Sequence, residues 1–137
     1  MTSQDKKAYL ERYREADQEI DRLCEELSRW RARGTKIAPS LSSASAEGYK
    51  DEDLDESPVE KIISLEREIN STIDSAIEIK KQVEDTIKTV PNGTLRDILI
   101  RRYILGETWE QISIHMNYGY RWILRLHGKA LKLVEVK

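Results

Sequence analysis

The 137-residue chain has no Phe, only three Pro and six Gly, and a single cysteine, Cys24. One cysteine excludes an intramolecular disulfide and a Cys-based metal cluster. Sparse Pro and Gly leave long stretches in which nothing breaks a helix. No apolar run is long enough to span a bilayer. The opening MTSQDKKAYLERYREADQ lacks the apolar core of a signal peptide, so a cytoplasmic protein with no membrane partner is expected. Also missing are a phosphate-binding Gly-Lys loop, a cluster of metal ligands, and a nucleophile beside a base. The expectation is therefore a non-enzyme without a cofactor.

Acidic and basic residues nearly balance, for a net charge of −2, but they are unevenly spread. Pro91 to Lys137 carries eight Lys and Arg against four Asp and Glu, a surplus of +4; the rest carries fifteen against twenty-one, or −6. An overall pI below neutrality thus hides a basic C-terminal segment.

What is present is helical periodicity. From about Gln4 to Arg33, Tyr13, Ala16, Ile20, Leu23, Leu27 and Trp30 recur at alternating spacings of three and four, a heptad seam that Leu10 extends backwards by three. Charged residues fill the other faces, as on a solvated coiled-coil exterior. Cys24 reads as a small residue at the seam edge. Gly34 is expected to end this helix. The stretch GTKIAPSLSSASAEGYKDEDLDES then reads as a loop. Asp51, Asp53 and Asp55 alternate as in a calcium loop, but Glu56 stands where that loop needs Gly and Ile62 where it needs a bidentate Glu, so calcium is rejected.

Ser57-Pro58-Val59-Glu60 predicts a helix start, with Ser57 capping and Pro58 in the first turn. That helix should run to about Val90. Its seam is Ile62, Ile69, Ile73, Ala76, Val83, Ile87 and Val90, widened by Ile63, Ile77 and Ile79. Pro91-Asn92-Gly93 breaks it. Two long helices joined by a loop are most simply an antiparallel hairpin. Such a hairpin buries little alone, so a second copy or the C-terminal segment is expected to cover its free edge.

Thr94 can cap a third helix to about Leu105, with Leu95, Ile98, Leu99 and Ile104 or Tyr103 inward, and Gly106 stops it. Thr108 to Leu131, TWEQISIHMNYGYRWILRLHGKAL, then reads as a helix-turn-helix. Thr108 and Gln111 form a capping box. Ile112 and Met116 share a face. Ser113 is small, as a close helix crossing requires. Asn117 falls where the turn needs a left-handed backbone. Ile123 and Leu126 face inward, while Tyr120, Arg121, Leu124 and Arg125 point out. The last helix continues through Lys129 to Val136. Trp109 should pack inside; Trp122 is open between phosphate contact and packing. His115 and His127 lack a third ligand nearby and read as exposed or capping residues.

Leu99 to Leu133, LIRRYILGETWEQISIHMNYGYRWILRLHGKALKL, resembles region 4 of sigma-70-type RNA polymerase sigma factors. The shared features are an Arg-bearing helix, a Gly, a Ser or Thr cap, the two helices, and a closing run like Lys129-Ala130-Leu131. With KAYLERYREADQEIDRLCEEL and TKIAPSLS, nearly the whole chain is similar to phage-encoded proteins that join a helical N-terminal region to a sigma region 4-like C-terminus. These in turn are similar to late-operon transcriptional regulators of Gram-positive phages. Two positions depart from region 4: Asn117 stands where Gly is usual, and Gly119 where Ser or Thr is usual. Sigma regions 2 and 3 have no counterpart, so an accessory regulator is expected and not a full initiation factor.

The resemblance implies an all-α fold, with residues 1–90 as a helical hairpin and oligomerisation region (loop 34–57) and 91–137 as a DNA-binding domain. It implies base contacts by Tyr120, Arg121, Leu124 and Arg125. The chemistry agrees, since Arg donates two hydrogen bonds to guanine and Leu packs on a thymine methyl. Arg101, Arg102, Lys129 and Lys132 are candidates for phosphate contacts, which position without reading sequence. Double-stranded DNA and a second copy, paired through the N-terminal helices, are the expected partners. A small-terminase-like packaging subunit and a protein that contacts RNA polymerase without reading DNA remain open as alternatives.

Overall fold

The computed structural model describes residues 1–43 and 57–136, and side chains from 1–35 and 57–136. Every element among them is helical: α1 (Ser3–Ser43), α2 (Pro58–Ile87), α3 (Gly93–Leu99), α4 (Trp109–Met116) and α5 (Tyr120–Leu133), with α3 running into a π-helical turn (Ile100–Ile104). The chain is all-α. No described helix is long and apolar enough to cross a membrane. The Asp51, Asp53 and Asp55 stretch lies outside the described residues.

The caps explain most boundaries. Thr2 and Asp5 cap α1 reciprocally: Asp5 N–H donates to Thr2 Oγ1 and Thr2 N–H to Asp5 Oδ2, both at 3.1 Å. The bond from the Thr2 backbone N–H, followed by the Thr2 side chain, holds the Asp5 carboxyl below its ordinary pKa. Ser57 caps α2 as predicted, accepting from Glu60 N–H at 3.1 Å. Gly34, by contrast, does not end α1. Its backbone is helical, and a glycine inside a helix costs about 1 kcal/mol relative to Ala without forcing a stop. Around it, Arg31 pairs with Glu66 at 2.8 Å, and Trp30 and Ile62 pack against the same small core, which favours continued helix. The cap of α3 is Asn92, whose Oδ1 accepts from Leu95 N–H at 3.1 Å, and not Thr94. Asn is as good a cap as Thr, and Gly93 tolerates the first helical position.

The chain forms two compact units. One comprises Gln18–Asp74. Its core is Leu23 and Leu27 of α1 with Leu65 and Ile69 of α2, flanked by Trp30 and Ile62. Leu65 was not among the predicted seam residues, and it displaces Ile73 and Ile63 to the surface. Cys24 is exposed, off the seam.

The other unit joins Met1–Asp17 to Ser75–Lys137. Leu10 sits at its centre, fully buried with Val83, Ile87, Val90, Leu95, Leu99, Tyr103, Ala130, Leu131 and Val134. Arg12 donates to Gln82 at 2.9 Å, and Lys80 lies over the Tyr13 ring at 5.9 Å. A second small core of Ile98, Ile112 and Ile123 ties α3 to α4 and α5, with Trp109, Met116 and Leu126 around it. The last helix ends at Leu133, three residues before the predicted end. Val134 turns extended and buried, and Glu135 N–H donates to Thr89 Oγ1 at 3.0 Å. Burying Val134 with Val90 accounts for the early stop.

Candidate nucleic-acid interface

The interface is built from α4, its turn and α5. Thr108 Oγ1 accepts from Gln111 N–H at 3.1 Å and Gln111 Oε1 accepts from Thr108 N–H at 2.8 Å, a complete capping box. Asn117 ends α4 at φ 59°, ψ 43°, the left-handed conformation that Asn tolerates. Ser113 Oγ donates to the Tyr118 carbonyl, and Tyr118 N–H donates to the Ser113 carbonyl at 3.1 Å. The small residue at 113 therefore fastens the turn. Gly119 precedes α5 with an extended backbone and no side-chain cap.

Beneath, the π-helical turn sets the start of α4. Leu105 N–H reaches back to the Ile100 carbonyl at 2.9 Å, and Gly106 then takes φ 76°. A Cβ there would meet only the movable guanidinium end of Arg14, at 2.8 Å, so it is the left-handed backbone that requires glycine.

Ile123, His127, Ala130 and Leu131 form the buried face of α5. Tyr120, Arg121, Leu124 and Arg125 are exposed, as are Lys129 and Lys132. Arg121, Arg125, Lys129 and Lys132 follow at spacings of four, four and three, which sets them along one side of the helix. The sequence of α5, YRWILRLHGKALKL, contains no carboxylate. Neither Arg121 nor Arg125 has an ion-pair partner among the described residues. Trp122 stands beside them, 48% exposed. Two further apolar side chains, Ile114 at 76% and Tyr118 at 40%, are exposed on α4 and the turn.

Arg101 and Arg102 differ from the other six candidates. Arg101 is half-buried and pairs with Asp97 at 3.3 Å and Glu107 at 3.2 Å. Arg102 donates to the Glu107 carbonyl at 3.1 Å and lies over the Trp109 ring at 4.3 Å. Both guanidiniums hold the α3–α4 connection together. Glu107 also meets His115 Nδ1 at 3.0 Å. Its role as a hub had no signal in the sequence beyond its charge.

His127 is buried, contrary to its reading as an exposed or capping residue. It lies four residues after Ile123, on the same inward face. Its Nε2 is 2.7 Å from Tyr103 Oη, and the Trp109 ring meets its edge at 4.6 Å. Burial pushes its pKa down to about 4, with Lys7 and Arg102 adding repulsion. Burial likewise pushes the Tyr103 phenol up. His127 therefore adds no charge to α5 at neutral pH, and the basic face is Arg and Lys alone.

This shift has a sign. Above about pH 6.5 the imidazole is neutral whether folded or unfolded, and stability does not depend on it. Below that, the unfolded chain takes up a proton that the folded one refuses, so stability falls between about pH 6.5 and 4, by about 3 kcal/mol in all. Urea midpoints at pH 7 and pH 4.5 should show this loss in the native chain. The His127→Gln variant should show a distinctly shallower slope.

Comparison with protein-family models, curated proteins and solved structures gave no match. Among the described residues, no group of three His, Cys, Asp or Glu side chains could hold a metal ion.

Proposed function

We propose that this chain is a sequence-specific DNA-binding transcriptional regulator of the phage or prophage type, with α5 lying in the major groove. The observation that carries the reading is the outward face of α5: four cations in register, no carboxylate on the helix, and two arginines with no ion-pair partner among the described residues. Preceding α5 are a capped short helix and a tight left-handed turn, the arrangement in which a second helix is offered to a groove. The resemblance of Leu99–Leu133 to sigma region 4 supports the same assignment. Tyr120, Arg121, Leu124 and Arg125 contact base edges, and Lys129 and Lys132 contact phosphates. Arg101 and Arg102, occupied by Glu107, Asp97 and Trp109, act mainly by holding α4 in place.

The finer architecture belongs to this reading. In the Met1–Asp17 and Ser75–Lys137 unit, Tyr13 meets Lys80 while Arg12 meets Gln82, which is the antiparallel sense of a hairpin. The regulator acts as two copies joined through the N-terminal helices, each presenting one α5 to a half-site. One module with a modest basic face binds weakly, and two linked modules bind far more tightly than either.

Titrating duplex DNA by fluorescence anisotropy at several salt concentrations tests this. If Lys129 and Lys132 each neutralise one phosphate, log K should fall against log salt with a slope near −1.8 per module, about −0.9 for each phosphate. A slope near zero at measurable affinity is incompatible with it.

A second reading has one observation in its favour. Ile114 and Tyr118 are large side chains exposed on α4 and its turn, and Ile114 has no hydrogen-bonding group to offer a phosphate or a base edge. A protein surface, such as that of RNA polymerase or a sigma factor, would cover them.

A further inference from the structure

Helix α2 has a buried face and, beside it, a stripe flanked by isoleucines that no described residue covers. Ile63 and Ile73 are 43% and 36% exposed although the sequence reads them as seam residues. Leu65 occupies the seam beside Ile69, which the sequence also places there. Between the two exposed isoleucines, at spacings of three, four and three, fall Glu66 and Asn70, both exposed. These four positions line one side of the helix in heptad spacing. In sequence the same alternation continues to Val59 on one side and Ile77 on the other, both exposed.

The order of residue types along this stripe reads the same in both directions: apolar, polar, polar, apolar. A two-fold axis across the helix at Glu68 would set Ile63 against Ile73 of a second copy, and Glu66 against Asn70. The Asn70 amide would donate and the Glu66 carboxylate accept, twice across the axis. A surface that complements itself under a two-fold axis is what an isologous dimer requires. Parallel pairing would instead oppose Glu66 to Glu66. Arg31 holds one oxygen of Glu66 at 2.8 Å and leaves the carboxylate further acceptor capacity. The rim is less favourable, since Glu60 would approach Asp74 and Arg67 its own copy. Both pairs would be solvent-exposed, where repulsion is weak and screened by salt.

We propose that this stripe of α2 is the surface on which a second copy of the chain docks, antiparallel and about a two-fold axis near Glu68. The proposal rests on the two-copy reading above and names its contact face.

Cysteine cross-linking on the full chain tests it, in a Cys24→Ser background that removes the native exposed thiol. Ile63→Cys and Ile73→Cys are both at exposed positions, so the fold should persist, as circular dichroism would report. Mixed in equal amounts and mildly oxidised, they should form a mixed disulfide dimer in most molecules. Either alone should form little, because residues 63 and 63 of the two copies lie roughly 15 Å apart along the axis. Sedimentation should give twice the mass of one chain for the native protein and a single-chain mass for Ile63→Glu/Ile73→Glu. Efficient cross-linking of each variant alone, no cross-linking, or a native mass other than two chains overturns the proposal. None of these readouts uses DNA. A cross-linked dimer that binds no duplex supports the docking face and removes only the regulator reading; a monomer that binds duplex does the reverse.

Discussion

Leu10→Ala should destabilise the protein by about 2–5 kcal/mol, the range for truncating a fully buried leucine. The loss combines the transfer energy of the removed carbons with the cavity they leave. Leu10 has no exposed surface and touches a core drawn from α2, α3, the π-helical turn and α5. A collapse to fill the gap would have to shift several elements at once, which favours the upper part of the range. The melting temperature should fall by roughly 10 °C or more. Leu105→Ala, at a position 60% exposed, should stay within about 0.5 kcal/mol of the native chain. If the two variants melt alike, Leu10 does not hold this unit together. The same geometry bears on fragments: a chain beginning at Pro91 would leave Leu95, Leu99 and Val134 without Leu10, Val83 and Ile87 to cover them.

Arg121→Ala/Arg125→Ala should abolish sequence discrimination while leaving the fold intact. Each correct bidentate arginine–guanine contact discriminates by about 1–3 kcal/mol. Losing two should weaken binding to a preferred site by about thirtyfold or more. Both side chains are exposed and unpaired among the described residues, so stability should change by less than about 0.5 kcal/mol. The comparison that separates reading from positioning is Lys129→Ala. It should weaken all duplexes alike and reduce the salt slope by about 1. A double arginine variant that keeps the native preference would assign the contact to another face.

The parts of this fold that were legible in the sequence are those set by local chemistry. Thr108 with Gln111, Asn117 at the turn and Ser57 ahead of Pro58 each satisfy helix-end groups through neighbours a few residues away. Sequence alone can display such pairs. The outward face of α5 was legible for the same reason, since Arg121 and Arg125 are one turn apart. What was not legible depends on contacts distant in sequence. Gly34 continues the helix where Arg31 meets Glu66 and where Trp30 and Ile62 pack on one small core. Ile63 and Ile73 are displaced because Leu65 takes the seam, which shifts the buried face around α2. Arg101 and Arg102 look like solvent-facing cations until Glu107 and Trp109 are brought to them by Gly106. His127 is the exception: its four-residue spacing from Ile123 already set it inward, and extending the inward face by one turn would have found it.

Under the proposed function, α5 discriminates among DNA sequences. Selecting bound duplexes from a random pool, with the native chain and the Arg121→Ala/Arg125→Ala variant side by side, tests it most directly. The native chain should enrich a motif of two related half-sites, and the variant should enrich none. An unchanged pool with the native chain, or the same motif recovered by the variant, would contradict it.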